Sequence, residues 1–137
     1  MEIVRDVPRA EVDSLQAELL SEVATKRGTG HQGITEVYAS KPCAYIVARD
    51  AGKAVGVATV SFLFGDPELH KLFVSSGYRS QGVSKLLFAE ALRYCAELGH
   101  DEMFAQPISQ EGLRFLNRMS VDFAWRDWGE GALFKTS

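Results

Sequence analysis

From Ala54 to Phe64 the chain is apolar on both alternating faces, with Val55, Val57 and Thr59 on one and Val60 and Phe62 on the other. A strand wetted on one side alternates apolar with polar residues, and this one does not. It therefore reads as a central strand of a sheet covered on both sides. The chain has 137 residues, so a single domain spanning 1–137 is expected. A chain of this size buries roughly two thirds of its unfolded surface, enough for a core without disulfides or metal.

The neighbouring segments supply the rest of such a sheet. Ile3 to Arg5 is a short strand, after which Asp6 can cap a helix and Pro8 suits its first turn. Val12, Leu15, Leu19, Leu20 and Val23 follow helical spacing. A glycine-rich connector follows over 25–37, with Gly28, Thr29, Gly30, His31 and Gly33. The segment Tyr38 to Arg49 contains a strand centred on Ala44 to Val47, which joins the central strand through the turn Asp50-Ala51-Gly52-Lys53. Gly65-Asp66-Pro67 breaks the chain before a strand from Glu68 to Val74. Val83, Leu86, Leu87, Ala91, Leu92, Cys95 and Leu98 then mark one helix face, with Glu90, Arg93 and Glu97 placed for solvent and mutual pairing and Gly99 as the stop. Glu102 to Gln106 is a strand, and Ser109 can cap a helix on which Leu113, Leu116 and Met119 share a side. A last hairpin, Ala124 to Trp128 and Ala132 to Thr136, turns at Gly129-Glu130-Gly131. Trp125 and Trp128, three apart on a strand, face opposite sides, which predicts one in the core and one exposed. The order β-α-β-β-β-α-β-α-β-β places the chain in the α/β (α+β) class.

Net charge is −3 and the isoelectric point about 5.6, so a general basic surface for nucleic acid is not expected. Cys43 and Cys95 have no metal spacing and read as free thiols of a reducing compartment. The charged start Met1-Glu2-Ile3-Val4-Arg5-Asp6 and the lack of a long apolar run predict a cytoplasmic protein with no membrane partner and no metal.

The chemistry concentrates at residues 72–88, Leu72-Phe73-Val74-Ser75-Ser76-Gly77-Tyr78-Arg79-Ser80-Gln81-Gly82-Val83-Ser84-Lys85-Leu86-Leu87-Phe88. A strand meets a polar loop with glycines, and a helix follows at once. This aims unpaired helix-start N–H groups and two cations, Arg79 and Lys85, at one small volume suited to a polyphosphate. The plain alternative is a solvated strand-to-helix turn.

Arg79-Ser80-Gln81-Gly82-Val83-Ser84 resembles the coenzyme A loop of the GNAT superfamily of N-acetyltransferases, Gln/Arg-x-x-Gly-x-Gly/Ala, with Ser84 departing at the last position. The hairpin into Val55-Gly56-Val57-Ala58 and the element order fit that family over nearly the whole chain. The resemblance implies a mixed, mostly antiparallel sheet of about six to seven strands flanked by helices. It further implies acetyl-CoA as cofactor. Leu72, Phe73 and Val74 would lie along the pantetheine arm, with the backbone of Leu72 and Val74 pairing to it. The amides of Ser80, Gln81, Gly82, Val83 and Ser84 would hold the diphosphate, and Arg79 and Lys85 would add charge. Ser109 and Asn117, on and beside the later helix, complete the cofactor candidates.

Acetyl transfer to a primary amine by direct attack needs a neutral amine, although a free lysine amine titrates at about 10.4. It also needs a donor for the thioester oxygen and, in many relatives, a proton for the departing thiolate. Glu68 lies where histone-acetylating members carry a catalytic glutamate, and His70 reads as sharing a face with it and with Leu72 and Val74. The plain alternatives are a solvated glutamate after Pro67 and a packed histidine. In the family pattern Asn-x-x-Ala-x-x-x-Tyr, Ser109 stands at Asn and Leu116 at Tyr, so the usual acid is missing, and Tyr78 and Asn117 have only weak claims to replace it. Cys95, on the core face, reads as packing. His31 and Tyr38 border the region where the family binds its acceptor.

The acceptor is an amine on a small molecule, peptide or protein, and residue types alone do not choose among them. Oligomeric state stays open, with pairing through the last strands the form a homodimer would take. A non-catalytic acyl-CoA-binding sensor or assembly module is the alternative. A nucleotide-binding α/β protein is weaker still, since no Gly-x-x-x-x-Gly-Lys-Ser/Thr occurs and no Gly-x-Gly-x-x-Gly lies between a strand and a helix.

Overall fold

The computed structural model describes residues 1–25 and 33–137. In chain order the elements are β1 (Glu2–Val4), α1 (Asp13–Thr25), β2 (Cys43–Asp50), β3 (Lys53–Ser61), β4 (Glu68–Val74), α2 (Val83–Glu97), β5 (Glu102–Ala105), α3 (Gln110–Asp122), β6 (Trp125–Trp128) and β7 (Gly131–Lys135). Among the described residues one seven-stranded sheet has the order β1-β2-β3-β4-β5-β7-β6, with β4–β5 its only parallel pair and the other neighbours antiparallel.

The strand read as central is central. Ala54, Val55, Val57, Ala58, Thr59 and Val60 of β3 are all buried. On one face Val57 packs with Val12, Leu15 and Leu19 from the α1 side. On the other, Val55, Ala58 and Val60 pack with Leu87, Ala91 and Leu92 of α2 and Leu116 of α3. Gly56 makes the second contact possible, since a Cβ there would sit 3.0 Å from Leu87. The β2–β3 turn closes with Asp50 opposite Lys53. Its two central residues both have positive φ, Ala51 at 51° and Gly52 at 79°, the twist that joins adjacent strands tightly.

Several local expectations are corrected. Asp6 caps no helix: it has φ 50°, and the short 3-10 turn Arg9–Val12 starts from Pro8 with no side-chain cap. Leu20, Leu86, Leu98 and Leu113 are exposed. The face of α1 instead includes Gln16, whose Nε2 donates to Thr35 O (3.0 Å) and whose Oε1 accepts from Val37 N (2.7 Å). Trp125 and Trp128 are both exposed, because β6 is an edge strand paired only to β7 and exposed throughout. His31 and most of the glycine connector lie outside the described residues. The spacing Gly28-Thr29-Gly30-His31-Gln32-Gly33 follows α1 and not a strand, so it lacks the setting of a dinucleotide fingerprint.

Cys95, on the core face of α2, is fully buried, and burial pushes its thiol up from 9.0 to about 12. The folded state then keeps a proton that the unfolded state sheds above pH 9. That stabilisation is present in full below the unfolded value and is lost as pH rises toward the folded one, by up to ~1.4 kcal/mol per pH unit. Tyr38, pushed up to about 12 mainly by its hydrogen bond to Asp13, adds a slope of the same sign. Urea unfolding at pH 8 and pH 10 should show a smaller alkaline loss for Cys95→Ala than for the parent. Equal losses would contradict the burial argument.

Candidate cofactor and acyl-transfer site

β4 and β5 meet only at Glu68 and Phe104, where Phe104 N also donates to Pro67 O (2.9 Å). Beyond that point the two strands part, and the sheet is split. The ladder on the other side of β4 shows what faces the split. Ser75 N donates to Val55 O (2.9 Å), and Gly56–Val74, Val57–Phe73 and Ala58–Leu72 are the following pairs. Hydrogen-bonded pairs alternate in an antiparallel ladder. Phe73 therefore bonds to β3, while Leu72 and Val74 turn their N–H and C=O groups into the gap.

The loop after β4 meets the mouth of the same gap. Ser80 has φ 63°, and Gly82, the residue before α2, has φ 80° and ψ 7°. A Cβ on Gly82 would meet nothing within 4 Å, so the site is open on that side. Among the described residues, no protein acceptor takes a hydrogen bond from the amides of Ser80, Gln81, Gly82, Val83 or Ser84; the first amide of this stretch with such a bond is that of Leu86, to Gly82 O (3.2 Å). Open amides at the positive end of a fifteen-residue helix form a ready site for an anion.

Gap and loop together make one cleft of about 800 Å³, near the top of the range for small-molecule sites. Leu72, Phe73, Val74, Arg79, Ser80, Gly82, Ser84, Lys85 and Ser109 all line it, as does His70. Glu68, Gln81, Val83 and Asn117 do not. Glu68 sits where β4 and β5 close. Gln81 folds back, Nε2 donating to Gly77 O (3.1 Å). Val83 buries its side chain in the core and offers only its amide. Asn117 is exposed, turned from the α3 face formed by Phe115, Leu116 and Met119 that does line the cleft.

Both cations of the loop already have partners. Arg79 donates from Nε to Val74 O (2.9 Å) and from Nη2 to Glu22 Oε2 (2.6 Å), and Glu22 holds its pKa above the ordinary value. Lys85 Nζ lies 2.9 Å from Asp122 Oδ2, both largely exposed. Such a surface pair is worth about 0–1 kcal/mol and is easily exchanged for a phosphate. Ser109 is the cap of α3, its hydroxyl accepting from Gly112 N (3.0 Å). That bond fixes the helix start on the far wall of the cleft.

The shared face expected for Glu68, His70, Leu72 and Val74 is broken by a bulge. Lys71 lies opposite Thr59 and Leu69 opposite Val60, leaving His70 without an opposite residue. An extra residue reverses the alternation. Leu69, Leu72 and Val74 therefore pack on the α2 side. His70 turns to the α1 side, where its Nε2 lies 3.2 Å from Glu36 O. A carbonyl only accepts, so in this contact Nε2 is the donor, and Nδ1 is the ring nitrogen left for another partner. Glu68, opposite Ser61, falls on the same side as His70 by the same count. Tyr78, one of the residues considered as an acid, donates to Asp50 Oδ2 (2.6 Å), and this bond raises its pKa. Leu116 is buried in the cleft wall. Among the described residues no group of three His, Cys, Asp or Glu could hold a metal ion, and no helix is long and apolar enough to cross a membrane.

The chain belongs to the acetyltransferase (GNAT) family, whose model matches residues 13–119. No curated protein matches it in sequence. Among solved structures it is similar to an acetyltransferase of the GNAT family from Staphylococcus aureus Mu50, at 16% identity and a TM-score of 0.69, over 99% of this chain and 100% of that one. It is also similar to an aminoglycoside 6'-N-acetyltransferase complexed with coenzyme A (14% identity, TM-score 0.65, 100% and 98% covered). A third is the PaiA N-acetyltransferase from Thermoplasma acidophilum, also in complex with coenzyme A (14% identity, TM-score 0.62, 98% of each chain). At these identities the likeness is one of fold.

Proposed function

We propose that the chain is an acetyl-CoA-dependent N-acetyltransferase acting on a primary amine by direct attack. The observation that carries this reading is the row of open amides from Ser80 to Ser84 at the mouth of the β4–β5 gap. The fit to the cofactor is chemical. The amides suit a diphosphate, Lys85 and Arg79 stand beside them, and the gap-facing backbone of Leu72 and the N–H of Val74, whose C=O already accepts from Arg79 Nε, suit the amides of a pantetheine arm. Bound there, the cofactor supplies an activated acetyl group as a thioester. The protein's own task is to hold that group in the split sheet and to take a proton from the amine. His70 lines the cleft, and with Nε2 turned to Glu36 O its Nδ1 is the ring nitrogen not engaged by that contact, which supports it as base. Glu68 lies on the same side at the closed end of the gap, two residues before His70 in the chain.

Leu116 gives a second reading specific support. With an aliphatic side chain in the wall where many relatives carry a tyrosine, the site suits a module that binds acyl-CoA without turning it over. Thiol release from acetyl-CoA across a broad amine panel separates the two. The enzyme reading expects release with at least one amine, and His70→Ala should lower kcat by about 10²–10⁴-fold with coenzyme A affinity held. Tight coenzyme A binding with no release across the panel would favour the module.

A further inference from the structure

The loop that carries the open amides is held by three carboxylates, of which Glu22 also lines the cleft. Glu18 of α1 accepts from Ser75 Oγ (2.7 Å) through Oε1 and from Ser76 N (2.8 Å) through Oε2. Glu22, one helical turn on, accepts from Arg79 Nη2 (2.6 Å). Asp50, at the β2–β3 turn, accepts from Tyr78 Oη (2.6 Å). Between Ser75 and Arg79 the chain makes a single 3-10 turn, and it then passes through the left-handed residues Ser80 and Gly82 before α2 begins. A short turn followed by two left-handed residues has little local structure to fix it. Four of its polar groups are instead anchored to α1 and to the β2–β3 turn.

We infer that Glu18, Glu22 and Asp50 are positioning residues for the diphosphate site, holding the loop so that the amides of Ser80 to Ser84 face the cleft. This rests on the cofactor reading above. It assigns an unexpected sign to the acids of α1. Two carboxylates beside a phosphate site repel the ligand by simple charge, and Glu22 also engages a cation that could otherwise serve the phosphate. If that were their main effect, removing the charge would tighten binding. If they position the loop, removing them weakens it. Arg79 is then chiefly a clasp between α1 and β4, since its Nε holds Val74 O while its Nη2 holds Glu22.

The test compares coenzyme A with pantetheine, which lacks the diphosphate and nucleotide. Affinities are measured by calorimetry for coenzyme A and by NMR titration for pantetheine, on the full chain and on Glu18→Ala, Glu22→Ala and Asp50→Ala. Each variant is expected to lose coenzyme A affinity by about tenfold, with pantetheine affinity unchanged. Glu18→Gln, which keeps a carbonyl acceptor for Ser76 N, should recover part of the loss. Three results would overturn the inference: unchanged coenzyme A affinity, tighter coenzyme A binding, or parallel loss of both ligands, which marks general damage. Failure of the parent chain to bind coenzyme A would instead remove the cofactor reading, and the inference with it.

Discussion

Gly82→Asp is expected to abolish coenzyme A binding while leaving the fold in place. Gly82 precedes α2 with φ 80°, a conformation that costs an L-residue about 1–2 kcal/mol, less for aspartate than for most. The space beside it is open, so the added side chain meets no protein atom. Its carboxylate lands at the start of α2, where it can accept from the amides that the diphosphate would use. It also places a negative charge where phosphate must sit. Loss of those amide bonds together with the repulsion should weaken binding at least ~100-fold, or about 3 kcal/mol. Gly82→Ala adds the backbone strain without the charge and should cost no more than about tenfold. Calorimetry with both variants, each checked by circular dichroism, separates charge from strain. Equal affinities for Gly82→Asp and the parent would place the diphosphate elsewhere.

Phe88→Ala is expected to give the largest loss of stability of any single truncation considered. Phe88 of α2 is fully buried. Its ring meets Phe115 at 5.6 Å, Phe123 at 5.3 Å and Phe134 at 4.9 Å between centroids, two of them edge to face. It thereby ties α2 to α3 and to β7, and Phe115 lines the cleft. Removing a buried phenyl ring costs about 3–5 kcal/mol through lost transfer energy and the cavity left behind. Domains of this kind have about 5–15 kcal/mol in total, so the midpoint of urea unfolding should fall sharply at unchanged slope. A loss under about 1 kcal/mol would mean that the aromatic cluster repacks and does not hold the cleft wall.

Much of the fold is legible in the residues because it follows from burial periodicity. The two apolar faces of β3 demand a sheet covered on both sides, and the spacing from Val83 to Cys95 demands a helix with one buried face. The anion loop is legible for a related reason, since a strand, a glycine in the left-handed region and a helix start are each local signals. What stayed hidden depends on contacts between distant segments. The bulge at His70 is one extra residue in a strand whose first five positions are all only partly buried, so the sequence shows no break in alternation. Gln16 looks like an ordinary surface position of α1, and only the passage of Thr35 to Val37 beside it makes it a buried bridge. Glu18 and Glu22 carry a visible i, i+4 spacing, but nothing local says that Ser75, Ser76 and Arg79 lie opposite. The two tryptophans depart from the expectation because opposite faces of a strand are not always opposite environments. On an edge strand both faces meet solvent.

The central claim is that helix-start amides bind the cofactor's diphosphate, and an amide-resolved NMR titration of the full chain with coenzyme A reads it directly. The account expects saturable shifts concentrated at Ser80, Gln81, Gly82, Val83 and Ser84, with further shifts at Leu72 and Val74 along the gap. Saturation that leaves those amides unmoved, or no binding at all, would contradict it.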